Sequence, residues 1–315
     1  MRYMTLWILV LFITCPLPAQ SIERYTGPII DMHLHAYNAE NYSGGGEHPS
    51  GVNSPGTARE HFNQTLAVME EYRVKKGMFS GSLETIESYP GDDDRVVAGY
   101  QDEIVTGDGG NGLIPVPRFE ELVQNGSIEV FGEVTAVYKG MTLNDPAYKP
   151  YLEICEEYGI PVAYHTGGGP PMTPYNGAPD FRIAKGDPLL IEDVLVKYPE
   201  LKVYLMHGGE MFFEHAVRMM ALYRQLYVDL GVLLWVEPIV QDYAVRLLKS
   251  ANNAGVLDRV MFGSDQMIWP GAIEKSINFL NSMEFLTLEE KADIFYHNAA
   301  TFLELSEEEI AAHHD

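Results

Sequence analysis

Residues 29–35 read IIDMHLH, an apolar segment that runs directly into two histidines. The isoleucines and the methionine predict a buried β-strand, and His33 and His35 stand two positions apart at its end. Side chains two apart on a strand point to the same face, so we expect both imidazoles to reach one rim of a sheet. Similar short strands that end in a polar residue recur along the chain.

Seven further segments are predicted to be strands, at residues 77–80, 96–100, 130–134, 161–165, 203–207, 226–230 and 260–265. Helical periodicity of apolar residues lies between them, at 61–74, 119–123, 151–158, 189–198, 211–224 and 241–254. Strands that alternate with helices indicate a parallel sheet, and eight repeats favour a (β/α)8 barrel, an α/β fold, in a single domain over residues 20–315. A doubly wound open sheet is the alternative, but no Gly-rich dinucleotide fingerprint follows a strand.

The chain has 315 residues and a strongly acidic composition, with 21 Lys and Arg against 45 Asp and Glu and a formal net charge of −24. Polyanion binding draws most of its affinity from Lys and Arg contacts to phosphate, so the composition argues against a nucleic-acid partner. The acidic segment 307–315 is predicted to be a solvated end.

Residues 1–19, MRYMTLWILVLFITCPLPA, place a short apolar run after Arg2 and end in a small residue, Ala19. The run is far shorter than the ~20 apolar residues of a membrane span, so we predict a signal peptide and a secreted or periplasmic protein, with an uncleaved N-terminal anchor as the alternative. Cleavage would leave Cys155 as the single cysteine, without a partner for an internal disulfide. The sequence does not specify the oligomeric state, and a homo-oligomer is compatible with it.

Candidate metal ligands follow the predicted strands at their C-terminal ends, which is the face where barrels of this type carry their active sites. A single histidine at such a position is usually hydrogen-bonded or half exposed, but several in barrel order are harder to explain without a metal. Imidazole nitrogens and carboxylate oxygens suit Zn²⁺ and similar divalent ions. The candidates are His33, His35, Glu133, His165, His207 and Asp265.

Several motifs together resemble the amidohydrolase superfamily. They are IIDMHLH at 29–35, YHTGGG at 164–169, YLMHGG at 204–209, MFGSDQMIWP at 261–270 and FYHNAATFLEL at 295–305. Within that superfamily they are similar to the amidohydrolase-related branch of metal-dependent TIM-barrel hydrolases, which also contains the aminocarboxymuconate-semialdehyde decarboxylase type. The resemblance runs from about residue 29 to residue 305.

The resemblance implies roles for individual residues. His33, His35 and His165 match metal ligands, and Asp265 matches an aspartate that binds metal and handles the proton of its bound water. His207 matches a histidine that is a ligand in two-metal members and that orients water or substrate in one-metal members. Glu133 resembles a bridging glutamate of some two-metal branches, and its alternative is a hydrogen bond to a neighbouring loop. We expect one ion, with two left open.

We expect a hydrolase that activates water on the cation and cleaves an amide, lactone or ester bond of a small molecule. A decarboxylase that uses the same residues is the alternative. A barrel that only binds its ligand and a nuclease are further hypotheses, which the retained Asp265 and the net charge of −24 respectively disfavour. Loops after the strands supply candidate substrate contacts: Tyr37, Tyr138, Arg182, Gln266 and Trp269.

Overall fold

The structure, a computed structural model, describes residues 23–37, 46–87, 93–103, 112–236 and 238–315. Eight parallel strands form one sheet in which each strand pairs with its neighbour in sequence. The predicted α/β barrel in a single domain is therefore confirmed. The strands are β1 (Ile29–His35), β2 (Val74–Gly81), β3 (Val96–Tyr100), β4 (Val130–Val134), β5 (Val162–His165), β6 (Val203–Met206), β7 (Leu226–Asp229) and β8 (Val260–Met261).

The barrel closes through backbone hydrogen bonds between β1 and the segment that follows β8. Met32 N donates to Phe262 O at 2.9 Å, and Asp265 N donates to His33 O at 2.7 Å. The last strand is shorter than the predicted 260–265, and Asp265 itself adopts a left-handed backbone with φ of 50°. The chain after Met261 thus still runs beside β1, but it does so as an irregular segment.

Helices surround the sheet, and most of them bury apolar residues against it. They are α1 (Ala58–Glu71), α2 (Leu83–Glu87), α3 (Val116–Gln124), α4 (Lys149–Tyr158), α5 (Glu192–Lys197), α6 (Phe213–Met220), α7 (Pro238–Ala254), α8 (Gly271–Asn281), α9 (Leu288–Ala292), α10 (Asn298–Phe302) and α11 (Glu307–His314). Three of these helices, α2, α8 and α11, were not predicted from the sequence. The spacing of the buried residues Ala272, Ile273, Ile277 and Leu280 would have indicated α8.

A change of parity within β1 brings both histidines to the barrel interior. Ile30 and Met32 belong to the apolar cluster inside the barrel, whereas Leu34 packs in the layer between sheet and helices. The pairing of β1 with β2 shifts register between Asp31 and Leu34. Such an irregularity re-aims the side chains that follow it, so His33 and His35 point inward after two inward apolar residues.

The structure describes the C-terminal end of the chain but not its first 22 residues. The predicted signal peptide, residues 1–19, lies outside the described residues. Among the helices that are described, none combines the length and apolar character that a membrane crossing requires. The acidic end forms α11, which begins at a capping box made by Ser306 and Glu309 and buries no residue.

Candidate metal centre

The six predicted ligands converge at the C-terminal rim of the barrel, and all six side chains are buried. Their ligand atoms form three overlapping groups within which all atoms lie within 4.8 Å of one another. The fold thus brings together residues that are up to 232 positions apart in the sequence, from His33 to Asp265. The groups are His33, His207 and Asp265; His33, His35 and Glu133; and Glu133, His165 and His207.

Glu133 lies between the histidines of β1 and those that follow β5 and β6. Its Oε1 is 2.5 Å from His165 Nδ1 and 3.3 Å from His207 Nε2, and its Oε2 is 3.7 Å from His35 Nε2. Asp265 Oδ1 is 3.0 Å from His35 Nε2 and 3.7 Å from His33 Nε2. Each carboxylate therefore contacts more than one imidazole, an arrangement that places negative charge among the ring nitrogens.

Two of the imidazoles donate their outer ring nitrogen to a backbone carbonyl. His207 Nδ1 lies 3.1 Å from Gly231 O, and His165 Nε2 lies 2.7 Å from Gly168 O. A carbonyl oxygen can only accept, so each of these nitrogens carries the proton, and in the neutral ring the other nitrogen presents a lone pair. Those other nitrogens, His207 Nε2 and His165 Nδ1, face each other at 3.0 Å.

The donor set fits a divalent cation. Two facing lone pairs repel unless a proton or a cation lies between or beside them, and Glu133 Oε1 adds a third acceptor at the same point. In addition, the part of the chain that the structure describes contains no hydrogen-bond partner for the buried His33 Nε2. A buried polar atom without a partner costs free energy, and coordination to a metal would satisfy it.

The pKa values of the buried carboxylates and of His33 are shifted by their mutual attraction. Burial favours the neutral acids, but Coulombic attraction to His165 lowers the pKa of Glu133 well below its usual range, and attraction to His33 likewise lowers the pKa of Asp265. Burial alone would lower the pKa of His33, and attraction to Asp265 and Asp229 outweighs it and raises that pKa to about 10. The carboxylates thus stay charged in a buried site; without metal the proton on His33 balances part of that charge, and a bound divalent cation would replace this proton.

Backbone conformation shapes two of the ligand positions. His207, which follows β6, and Asp265 have φ values of 64° and 50°. Such left-handed conformations are unfavourable for residues with a Cβ and cluster at functional sites. The two glycines after His207 continue the turn with φ values of 53° and 81°, where a side chain would be strained.

The predicted substrate contacts lie in different surroundings. The ring of Tyr37 stacks on His35 with centroids 4.2 Å apart, and the ring of Tyr138 meets His165 edge-on at 5.0 Å. Trp269 Nε1 donates to Gly46 O at 2.9 Å, in the loop between β1 and α1. These three aromatic residues therefore lie at the rim or beside it, and their contact with substrate stays a prediction.

Gln266 and Arg182 make backbone contacts that the sequence did not indicate. Gln266 Oε1 accepts from His35 N at 2.8 Å and its Nε2 donates to His35 O at 3.0 Å, so the amide fixes the backbone of that histidine. Arg182 is exposed, and its guanidinium donates to Pro179 O and Phe181 O at 2.9 and 2.6 Å. No contact of the described residues links Arg182 to the six ligands, and its predicted role stays a prediction.

Asp229 is the residue of the centre that the sequence analysis missed. It is the last residue of β7 and is fully buried, and its Oδ2 lies 3.0 Å from His33 Nδ1. The sequence does contain a pattern that indicates Asp229, because YVDL at 227–230 places a carboxylate at the end of an apolar strand. Predicted ligands lie at the ends of five of the eight strands, and Asp229 adds β7 to these.

A family model for amidohydrolases matches residues 30–305. The chain belongs to the amidohydrolase family. It is therefore an enzyme of the amidohydrolase superfamily, as the motifs predicted, and members of this family bind a divalent metal. The buried cluster of His, Glu and Asp side chains is where this amidohydrolase could hold one.

A curated relative of this amidohydrolase is protein fluG of Emericella nidulans. The two are 23% identical over 164 residues, which make up 47% of this chain and 18% of fluG. The chain thus matches less than a fifth of the length of that relative.

Solved structures show the same fold. An uncharacterized TIM-barrel protein from Bordetella bronchiseptica superposes with a TM-score of 0.63 at 20% identity, covering 88% of this chain and 98% of that one. A probable 2-pyrone-4,6-dicarboxylic acid hydrolase from Acinetobacter baumannii gives 0.58 at 15% identity, covering 88% and 99%. A 5-carboxyvanillate decarboxylase from Novosphingobium aromaticivorans, with bound manganese, gives 0.54 at 12% identity, covering 89% and 97%.

Proposed function

We propose that this amidohydrolase is a metal-dependent hydrolase that cleaves an amide, lactone or ester bond of a small molecule. The observation that supports this most directly is the convergence of four imidazoles and two carboxylates at one rim of the barrel. All six side chains are buried, so a substrate must be small enough to reach into the barrel mouth. Tyr37 and Tyr138, which contact His35 and His165, are proposed to line its path.

The proposed cofactor is one Zn²⁺ per chain, because imidazole nitrogen and carboxylate oxygen are the ligands that zinc prefers in catalytic sites. His33, His35, His165 and Asp265 are the proposed ligands. Two ions per chain would add Glu133 and His207, whose contact at 3.3 Å lies next to His165. In that two-ion arrangement His207 would coordinate through Nε2, because its proton lies on the nitrogen that faces Gly231.

Asp265 is the proposed proton carrier. A divalent cation bound at the cluster supplies a water molecule of lowered pKa and polarises a substrate carbonyl. Asp265 stays ionised at neutral pH because His33 and His35 lower its pKa, so its carboxylate can accept the proton of the attacking water. It then transfers that proton to the leaving nitrogen or oxygen as the C–N or C–O bond breaks.

A metal-dependent decarboxylase is the second candidate, supported by the decarboxylase among the structures of the same fold. It would use the same histidines and Asp265 and would break a C–C bond instead, with release of CO₂ and protonation of the substrate carbon. A bridging role of Glu133 between two ions would favour hydrolysis, and contacts of its Oε1 with His165 and His207 place the carboxylate where it could take that role.

The two reactions are distinguished by the fate of water oxygen. Metal-replete protein is assayed in H₂¹⁸O against panels of amides, lactones and esters and against carboxylated aromatic compounds, with metal per chain measured by elemental analysis. Hydrolysis places one ¹⁸O in the product carboxylate, whereas decarboxylation releases CO₂ and leaves the organic product unlabelled. Turnover with ¹⁸O incorporation that disappears in Asp265→Asn supports the proposal, and CO₂ release alone would replace it with the second candidate.

A further inference from the structure

Asp229 makes three hydrogen bonds that link β7 to two of the candidate ligands. Its Oδ2 accepts from the ring of His33, at 3.0 Å from Nδ1. Its Oδ1 accepts from the backbone N–H of His207 at 2.9 Å and of Gly231 at 2.8 Å. Both carboxylate oxygens are therefore used, and the group has no freedom to rotate without losing at least one bond.

We propose that Asp229 is a positioning residue of the metal centre that keeps His33 in the tautomer whose Nε2 lone pair faces the cation. This inference rests on the proposed metal-dependent function. A carboxylate accepts and does not donate, so the shared proton belongs to His33 Nδ1 and the opposite nitrogen is left to coordinate. That opposite nitrogen, Nε2, is the buried atom without a hydrogen-bond partner among the described residues, and it lies 3.7 Å from Asp265 Oδ1.

The same carboxylate also holds a second candidate ligand, His207, in place. His207 has a left-handed backbone with φ of 64°, and the bond from its N–H to Asp229 helps to hold that conformation. Gly231, the other backbone donor to Asp229, accepts at its carbonyl oxygen the proton of His207 Nδ1. One side chain thus orients ligands from β1 and from the end of β6 together.

Replacing the carboxylate of Asp229 by an amide of the same shape changes the hydrogen bond to His33 without changing the packing of the side chain. In Asp229→Asn, the amide oxygen can accept from both backbone N–H groups only if the amide NH₂ faces His33 Nδ1. The NH₂ group and a protonated Nδ1 would then both be donors, and two donors cannot form a hydrogen bond with each other. The imidazole must then carry its proton on Nε2, which removes the lone pair from the metal. The opposite orientation of the amide would instead leave the N–H groups of His207 and Gly231 without an acceptor.

Asp31 provides a matched control. It is also fully buried and next to His33, but its Oδ1 accepts from the backbone N–H of His33 at 3.0 Å and of Ser264 at 2.9 Å and does not bond the ring. Asp31→Asn makes the same chemical change and can keep both bonds through its amide oxygen. A loss of metal affinity caused only by replacement of a buried carboxyl group by an amide would appear in both variants.

The experiment measures Zn²⁺ affinity by competition with a chromophoric chelator for the wild type and both variants. We expect about 10- to 100-fold weaker binding in Asp229→Asn and wild-type affinity in Asp31→Asn, with the melting temperature of the metal-free Asp229→Asn protein near that of the control. Equal affinities in the two variants, whether retained or lost together, would overturn the proposal.

A second measurement needs no variant and decides the matter even if Asp229→Asn does not fold. Long-range ¹H–¹⁵N spectra of zinc-loaded wild type with labelled histidine should show His33 protonated at Nδ1 and coordinated through Nε2. Coordination through Nδ1 would overturn the proposal. Neither readout depends on which reaction the enzyme catalyses, so a failure here is distinguishable from a failure of the proposed hydrolase function.

Discussion

Gly231 passes so close to His33 that a single added methyl group should disturb the metal centre. A Cβ built on Gly231 would lie 2.2 Å from His33 Nδ1 and 2.9 Å from its Cε1 and Cγ, whereas ordinary van der Waals contact begins at 3.4 Å. In Gly231→Ala, either the imidazole or the loop after β7 must therefore move by about 1.2 Å to restore contact distance.

That displacement is large on the scale of coordination geometry. Metal–ligand distances in working sites are held within about 0.2 Å, so a shift of about 1.2 Å takes His33 Nε2 out of coordinating position. We expect the affinity for Zn²⁺ to fall by about 10- to 100-fold. Overpacking of a well-packed site should in addition lower the free energy of unfolding of the metal-free protein by about 1–3 kcal/mol.

Both quantities can be measured with a matched glycine variant. Zn²⁺ affinity comes from chelator competition, and the free energy of unfolding of metal-free protein comes from urea denaturation. At Gly56, an added Cβ would meet only Glu60 Oε2, at 3.6 Å, so Gly56→Ala should change neither value. If Gly231→Ala bound Zn²⁺ as tightly as Gly56→Ala, the position assigned to His33 in the centre would be wrong.

Three further predictions concern the metal, the proton carrier and the fold. Removal of metal by a chelator should lower the melting temperature, because an ion present at 100 times its dissociation constant stabilises the folded state by about 2.7 kcal/mol; an unchanged melting temperature in scanning fluorimetry would argue against a metal site. Asp265→Asn should lower kcat by about 10²- to 10⁴-fold, whereas the exposed Asp258→Asn should not, and equal steady-state rates would contradict the assigned role. Asp102→Ala removes the buried partner of the Lys139 ammonium and should lower the free energy of unfolding by about 3–5 kcal/mol. In the same urea titration, Glu121→Ala, which removes the exposed partner of Arg118, should lower the free energy of unfolding by less than about 1 kcal/mol. Similar losses in the two variants would contradict the stronger effect expected for the buried pair.

The barrel could be predicted from sequence because each strand is a short apolar run and each helix shows its own periodicity. Boundaries were less accurate where tertiary contacts decide them. The predicted strand 260–265 ends at Met261, because the left-handed backbone at Asp265 and the bonds from Met32 and Asp265 to the facing backbone replace a regular ladder. The segment of α8 shows helical spacing of its buried residues, and the prediction omitted it although the pattern was present.

The sequence predicted the six candidate ligands of the site, because their types and their positions at strand ends are visible in it. His33, His165 and Asp265 were identified because a polar residue at the end of an apolar strand is visible in the sequence. The partner of each polar atom is not visible. For Gln266 the predicted contact with substrate stays a prediction, and the bonds of its amide to the backbone of His35 depend on how the segment after β8 packs on β1.

The residues that orient the ligands are as informative about this centre as the ligands themselves. Two candidate ligands, His207 and Asp265, lie beyond their strands in left-handed conformations that cost about 1–3 kcal/mol each. Backbone bonds offset that cost, from His207 N to Asp229 and from Asp265 N to His33 O. Because the acceptors lie on neighbouring strands, Asp229 on β7 and His33 on β1, the geometry of these two candidate ligands depends on the pairing of the strands, including the closure of the barrel at β1. A change that opens the seam between β8 and β1 should therefore weaken metal binding before it unfolds the protein.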